Sequence, residues 1–383
     1  MSDAPGERGR AAVTRARRVV VKLGTSVLTG GPTAKGAGLD RPYFVRLAGQ
    51  VALLAGQGRE TVIVSSAAIA CGMHVLGLKE RPRAIPLKQA CAAVGQSGLM
   101  RAYEEAFAPH GRRVGQILLA ADDLGDRRRF LNARNTLRAL LDARVVPIVN
   151  ENDTVTVDEI RFGDNDTLSA LVTNAVEADL LVILSDIDGL YDADPRREPG
   201  ARLIEEIDEV DDGLRAKAGG AGSLGSGGMA TKLEAARKAA LFGVPTLIAN
   251  GRTDDILPRL LAGEPLGTFF RPARSRLASR KHWIAFGLAP AGTLVLDDGA
   301  VRAIVRAGKS LLPSGIVAVS GRFEAGDSVR LVDQSGKEVA RGLVNYPSQD
   351  VERIARAKTS EIEARLGYKS LDEVVHRDDL VLV

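Results

Sequence analysis

Apolar residues fall along this chain in two rhythms. Short β-branched or aliphatic runs, closed by glycine, serine, aspartate or asparagine, predict buried strands at Val19–Val21, Thr61–Val64, Val114–Leu119, Val145–Val149, Leu180–Leu184 and Thr246–Ala249. Between them, apolar positions at helical spacing predict helices at Tyr43–Gly56, Pro86–Ala108, Arg127–Ala143, Thr167–Val176 and Met229–Phe242. Strand and helix alternate, which predicts an α/β fold with a mostly parallel central sheet in a three-layer α/β/α sandwich. Past Arg271–Lys281 the rhythm changes. Short strands are predicted at Thr293–Leu296, Ile316–Val319, Ser328–Val332 and Val339–Val344, with turns at Asp298-Gly299, Gly326-Asp327 and Gly336-Lys337. That pattern is a small β-rich domain.

Composition narrows the class. With 383 residues, two domains are expected. The 45% hydrophobic and 4% aromatic content calls for aliphatic cores. Cys71 and Cys91 are too few for a disulfide framework and suit a reducing, cytoplasmic setting as small buried residues. The formal charge of +4 suggests nucleic acid until its distribution is read. Met1–Arg18 holds five arginines against two acids, and Arg271–Lys281 five basic residues and no acid. The basicity therefore sits in a frayed tail and a linker, not on a folded face. No apolar run is long enough for a membrane span, and no secretory signal is visible.

Three stretches carry candidate chemistry. Val19-Val-Val21 reads as a strand, followed by Lys22 and then Gly24-Thr-Ser26, so Lys22 is expected at the lip of a crevice beyond a strand's carboxyl end. Taken alone, that stretch favours a plain surface lysine. Gly225-Ser-Gly-Gly-Met-Ala-Thr-Lys232 is not a Walker A loop, because Lys232 lies four residues beyond Gly228. Its glycines still allow close backbone approach, and Lys232 reads as a mobile charge at an exposed helix start. A flexible surface loop is the plain alternative. Asn150, Asn152, Asp153, Asp164, Asn165 and Asp166 crowd a strand end and the next helix start. Helix caps and turns explain some of them; their density suggests polar recognition with a divalent metal. Asp186 and Asp188 follow another strand, where a turn would account for them. No zinc pattern and no nucleophile elbow appears. Two lysines, a phosphate-friendly loop and carboxylates suit phosphoryl transfer, which needs positioning and charge neutralisation more than a nucleophilic side chain.

Val20-Val-Lys-Leu-Gly-Thr-Ser26, Val149-Asn-Glu-Asn-Asp153, Gly163-Asp-Asn-Asp166 and Ser226-Gly-Gly-Met-Ala-Thr-Lys232, in that order, resemble the glutamate 5-kinase family, of amino-acid kinase fold. Ala291–Lys369, with Gly308-Lys-Ser-Leu-Leu-Pro313 inside it, resembles the PUA domain that longer members carry. The resemblance implies a basic tail at 1–18, a kinase domain at 19–270, a linker at 271–290, a PUA domain at 291–369 and a tail at 370–383. It implies ATP-dependent phosphorylation of the L-glutamate side chain with Mg²⁺, the first step of proline biosynthesis. Lys22 and Lys232 would neutralise the transferring group, and Asp166 would hold both by ion pairing. Ser66, Asp153 and Asn165 would bind glutamate, with Asp153 on its ammonium. Ser185, Asp186, Ser226, Gly227, Gly228, Met229, Ala230 and Thr231, with both lysines, would line the nucleotide. The resemblance further implies proline as feedback inhibitor, a homodimer or homotetramer, and functional coupling to glutamate-5-semialdehyde dehydrogenase. It leaves RNA binding by the PUA domain open. One departure is Ala67, where the family usually has glycine after the substrate serine; its methyl is expected to crowd a backbone contact. A kinase for another acidic amino acid and an RNA-binding protein with a kinase-fold sensor are the competing readings.

Overall fold

Strand β1 (Arg18–Leu23) runs through the middle of the molecule's main sheet. It is flanked on both sides by parallel neighbours, β2 (Glu60–Ser65) and β5 (Leu180–Ser185). A strand in that position is covered on both faces, which is why its apolar run is unbroken. The computed structural model describes residues 9–30, 38–120, 123–124, 127–155, 165–193, 195, 198, 200–211, 214, 228–272 and 290–382. Residues 31–37, Asp164, Ser226, Gly227 and nearly all of the predicted linker lie outside the described residues.

The chain divides into two compact units, Met1–Ala273 and Arg274–Val383. In the first, β3 (Arg113–Leu119), β4 (Val145–Glu151), β6 (Glu206–Ile207), β7 (Thr246–Asn250) and β8 (Thr268–Phe270) complete an eight-stranded sheet. The order is β3-β4-β2-β1-β5-β7-β8-β6, and only the β7–β8 pairing is antiparallel. The chain leaves β1 toward β2 and leaves β5 toward β7. The two connections diverge at the β1–β5 pair, which places a crevice there beyond the carboxyl ends.

Alternation along β1 sorts its side chains. Val19, Val21 and Leu23 enter the core under helices Arg41–Gly56, Ile85–Phe107 and Ile256–Leu261. Val20 enters the opposite core, under helices Arg127–Asp142, Asn165–Ala175 and Met229–Leu241. Each fully buried valine contributes roughly 1.5–3 kcal/mol through removal from water. By the same period, Lys22 shares the face of Val20. The sequence places Lys22 after its strand; the structure places it inside, paired to Val64 and Ile183.

Helix Ala68–Val75 crosses Ile85–Phe107 at backbone contact distance. A Cβ on Gly72 would lie 1.8 Å from the Cys91 carbonyl oxygen, and one on Gly95 1.8 Å from that of Ala68. Only glycine tolerates this approach. Ala67, just ahead of the first helix, is left-handed with φ 82°.

Residues 9–18, expected as part of a frayed tail, are packed. Helix Ala11–Arg15 buries Val13, and Arg10 donates from Nη1 to the carbonyls of Glu264 and Leu266, each at 3.0 Å. Clustered arginines hid this anchor, because guanidinium groups can satisfy backbone carbonyls as well as face water.

The second unit carries a five-stranded sheet in the order β10-β9-β11-β12-β13. The strands are β9 (Gly292–Leu296), β10 (Ile316–Gly321), β11 (Ser328–Val332), β12 (Glu338–Val344) and β13 (Val375–Leu382). β9 and β11 are parallel, and the other pairings antiparallel. Residues 375–382, expected within a tail, form an integral strand. Helices Asp298–Ala307 and Ser348–Ile354 add to a core that includes Leu294, Tyr346 and Val375.

Candidate active site

Helices Asn165–Ala175 and Met229–Leu241 begin above the Lys22 face of the sheet. Asp166 is the second residue of one and Lys232 the fourth of the other. All three side chains are buried, with 5%, 1% and 5% of Lys22, Asp166 and Lys232 exposed. Lys22 Nζ lies 2.6 Å from Asp166 Oδ1, and Lys232 Nζ 3.5 Å from Oδ2. The Thr231 hydroxyl is 2.6 Å from the same Oδ2 and 2.8 Å from the Gly228 carbonyl. Lys232 is therefore a held charge and not a mobile one, as its sequence position implies. Its ammonium reaches back under the helix start to a carboxylate no surface loop would supply.

The electrostatics of this trio follow from burial. Burial pushes the Asp166 carboxyl up, but Lys22 and then Lys232 outweigh it and hold it down at about 2. Burial pushes the Lys232 ammonium down, Asp166 opposes that, and Lys22 adds to it. Two ammonium groups around one carboxylate leave one positive charge in excess. A low-dielectric site of that kind attracts an anion.

Ser185 ends β5 and donates to Asp186 Oδ1 at 3.2 Å. Asp186 is exposed, and its field raises the Lys232 ammonium. Asp188 accepts from Asn250 Nδ2 at 2.9 Å and from the Tyr191 hydroxyl at 3.0 Å. Gly228, Met229 and Ala230 lie at the start of the Lys232 helix.

On the other side of β1, polar groups replace charges. Asn150 and Glu151 belong to the end of β4, not to a loop after it. Asn165 donates from Nδ2 toward Ser66 Oγ and Asn150 Oδ1, both at 3.0 Å, and the Ser65 carbonyl at 3.2 Å. Asn150 Nδ2 in turn donates to Gln96 Oε1 at 2.9 Å. Tyr103 donates to Ser65 Oγ at 2.8 Å. Asp153 lies just beyond; burial pushes its carboxyl up to about 6, against a smaller opposing effect of Arg81. Ser66, Asn165 and Asn150 are thus brought together, as are Lys22, Asp166 and Lys232.

Sequence reasoning missed Gln96 and Tyr103. Gln96 is a lone amide in the small-residue run Ala92-Ala-Val-Gly-Gln-Ser-Gly98. A polar residue beside a glycine at a close helix crossing was its available signal.

Among the described residues no three His, Cys, Asp or Glu side chains gather as ligands. Asp166 is already taken by two ammonium groups. The exposed Asp186 and Asp188 fit a divalent ion that draws most of its ligands from phosphate and water. No described helix is long and apolar enough to cross a membrane.

Comparison with known proteins extends this geometry over the whole chain. Residues 17–250 match the model of the amino acid kinase family, and residues 292–366 that of the PUA domain. The glutamate 5-kinase of Syntrophotalea carbinolica is 54% identical over 371 residues, covering 97% of this chain and 98% of that one. Those of Geobacter sp. strain M21 and Pseudomonas aeruginosa are each 56% identical, over 96% and 97% of this chain and 98% and 99% of theirs. Identity at this level runs over nearly the whole length of this chain and of all three relatives, and the chain belongs to the glutamate 5-kinase family.

Proposed function

We propose that the protein transfers the γ-phosphoryl group of ATP to the side-chain carboxylate of L-glutamate. The observation that carries this reading is the buried Lys22–Asp166–Lys232 trio at the diverging β1–β5 pair, with its excess positive charge. An oxygen of the glutamate γ-carboxylate attacks the γ-phosphorus. The bond from that phosphorus to the bridging oxygen breaks, and ADP leaves with its electron pair. L-Glutamyl 5-phosphate is the product.

The nucleophile is a carboxylate, ionised at neutral pH, so no side chain has to take a proton. Lys22 and Lys232 supply positive charge to the oxygens of the group in transfer, and Asp166 fixes where those ammonium groups sit. Ser185, Asp186 and residues 226–231 line the nucleotide in this reading, and Thr231 is itself bonded to Asp166. Ser66, Asn165 and Asp153 hold glutamate, the last by charge on its ammonium. Asp186 and Asp188 would help hold a divalent ion, Mg²⁺ in this reading, which would supply further neutralisation of the ATP phosphates.

The direct test incubates the protein with ATP, Mg²⁺, L-glutamate and hydroxylamine. Acyl phosphate is trapped as a hydroxamate in step with ADP; ADP without hydroxamate, or neither product, overturns the reading. Inhibition by proline, homo-oligomer formation and coupling to the enzyme that reduces glutamyl phosphate accompany it as family expectations.

A further inference from the structure

The amide network on the substrate side ends in two polar atoms that the protein leaves unmet. Gln96 Nε2 and Asn165 Oδ1 are shielded from water and meet no hydrogen-bond partner among the described residues. Buried polar atoms are nearly always paired, so each such end calls for an explanation.

The polarity of the network is fixed by the backbone. The N–H of Glu151 donates to one side-chain atom of Asn150 at 2.9 Å, which makes that atom Oδ1. The other atom is then an amide nitrogen, and the Gln96 atom 2.9 Å from it accepts and is Oε1. Nε2 is left as the unmet end of Gln96, a buried donor. At the other end, the Ser65 carbonyl lies 3.2 Å from one side-chain atom of Asn165. A carbonyl only accepts, so that atom is Nδ2 and the unmet end of Asn165 is Oδ1, an acceptor. Two backbone groups on different strands thus set both ends independently.

An α-amino acid carries one accepting group, its carboxylate, and one donating group, its ammonium, on a single carbon. The unmet ends offer the complementary pair. We infer that Gln96 reads the α-carboxylate of the substrate through Nε2, while the Gln96–Asn150–Asn165 relay holds Asn165 Oδ1 as acceptor for the α-ammonium. This rests on the glutamate kinase reading above. Gln96 reaches the site because Gly95 lets its helix meet the backbone of Ala68, directly after the Ser66-Ala67 corner.

Gln96→Glu and Gln96→Met separate this role from a structural one. Glutamate at position 96 keeps an acceptor for Asn150 and removes the Nε2 donor; methionine removes both. Both variants are expected to raise the KM for L-glutamate about tenfold or more, with Gln96→Glu at least as impaired, while kcat and the KM for ATP move little. Gln96→Glu behaving as wild type, with Gln96→Met impaired, would show that Gln96 only braces Asn150 and would overturn the inference. Thermal unfolding of each variant separates misfolding from lost recognition. On the unaltered protein, glutarate lacks the ammonium and 4-aminobutyrate lacks the α-carboxylate. Each is expected to inhibit with a constant about tenfold or more above the KM for glutamate. 4-Aminobutyrate binding as tightly as glutamate overturns the inference even if neither variant folds. Hydroxamate formation by the unaltered protein is measured first. Its absence removes the kinase reading, and its presence with unaffected variants removes only the role of Gln96.

Discussion

The two ends of the crevice are built on opposite terms. At the phosphoryl end, Lys22 and Lys232 both lie against Asp166, at 2.6 and 3.5 Å, so each ammonium has a carboxylate in reach although one positive charge remains in excess. At the amide end, Gln96 and Asn165 carry no charge, and each leaves one polar atom unmet. The difference follows from desolvation. A buried ion without a partner costs several kcal/mol, so the charged groups must be paired before any ligand arrives. An unmet amide atom costs only about 1–3 kcal/mol, a strain the fold can carry until substrate relieves it. The charges are therefore held by contact in advance, with one positive charge kept for the anion, and recognition is left open.

The strongest way to break this comparison is Asp166→Asn. It leaves two buried ammonium groups with no carboxylate, and is expected to cost about 3–5 kcal/mol in urea unfolding as well as turnover. In the intact protein the lowered Asp166 carboxyl stabilises the fold above its unfolded value of 3.8. That contribution is lost as pH falls from there toward about 2. Next comes Lys232→Met, which leaves a neutral Lys22–Asp166 pair. Turnover should fall about 10²- to 10³-fold while unfolding stability holds or rises, because an excess buried charge is gone. A large loss of stability would mean that Lys232 is structural.

Asp153 sharpens the comparison from the recognition side. With its carboxyl raised to about 6, it is ionised above that pH and neutral below it. The kcat/KM for glutamate should fall about tenfold per pH unit beneath it, without a matching change in the KM for ATP. Asp153→Asn should remove that limb from the pH profile. The smallest effect is expected from Ala67→Gly. A left-handed backbone is strained for alanine, so glycine should stabilise by roughly 0.5–1 kcal/mol after its own entropy is counted. Glutamate binding should be unchanged or tighter; a large loss would show that the methyl group is needed.

Strand and helix periods made the parallel core and most of its elements legible, because β1, β2 and β5 are buried on both faces and read as unbroken apolar runs. The small strands β6 and β8 were not visible, since two or three residues carry no period. Strand β13 was hidden by its charge: Val375-His-Arg-Asp-Asp-Leu-Val-Leu382 alternates only weakly. Lys22 and Lys232 were legible as residue types in phosphate-friendly contexts, but their burial was not. That depends on Asp166, brought from another helix. Gln96 escaped for a related reason. Its partner Asn150 is 54 residues away, and a hydrogen bond across that distance leaves no mark on local sequence.

The crossing at Gly72 and Gly95 has a mechanical corollary. Two helices touching main chain to main chain cannot slide or rock separately, so the Ser66 corner and the Gln96 amide travel as one rigid jaw. Any breathing that admits an amino acid has to come from the opposite wall, and a methyl group inserted at either glycine would spoil the grip of that jaw before it loosened the core beneath.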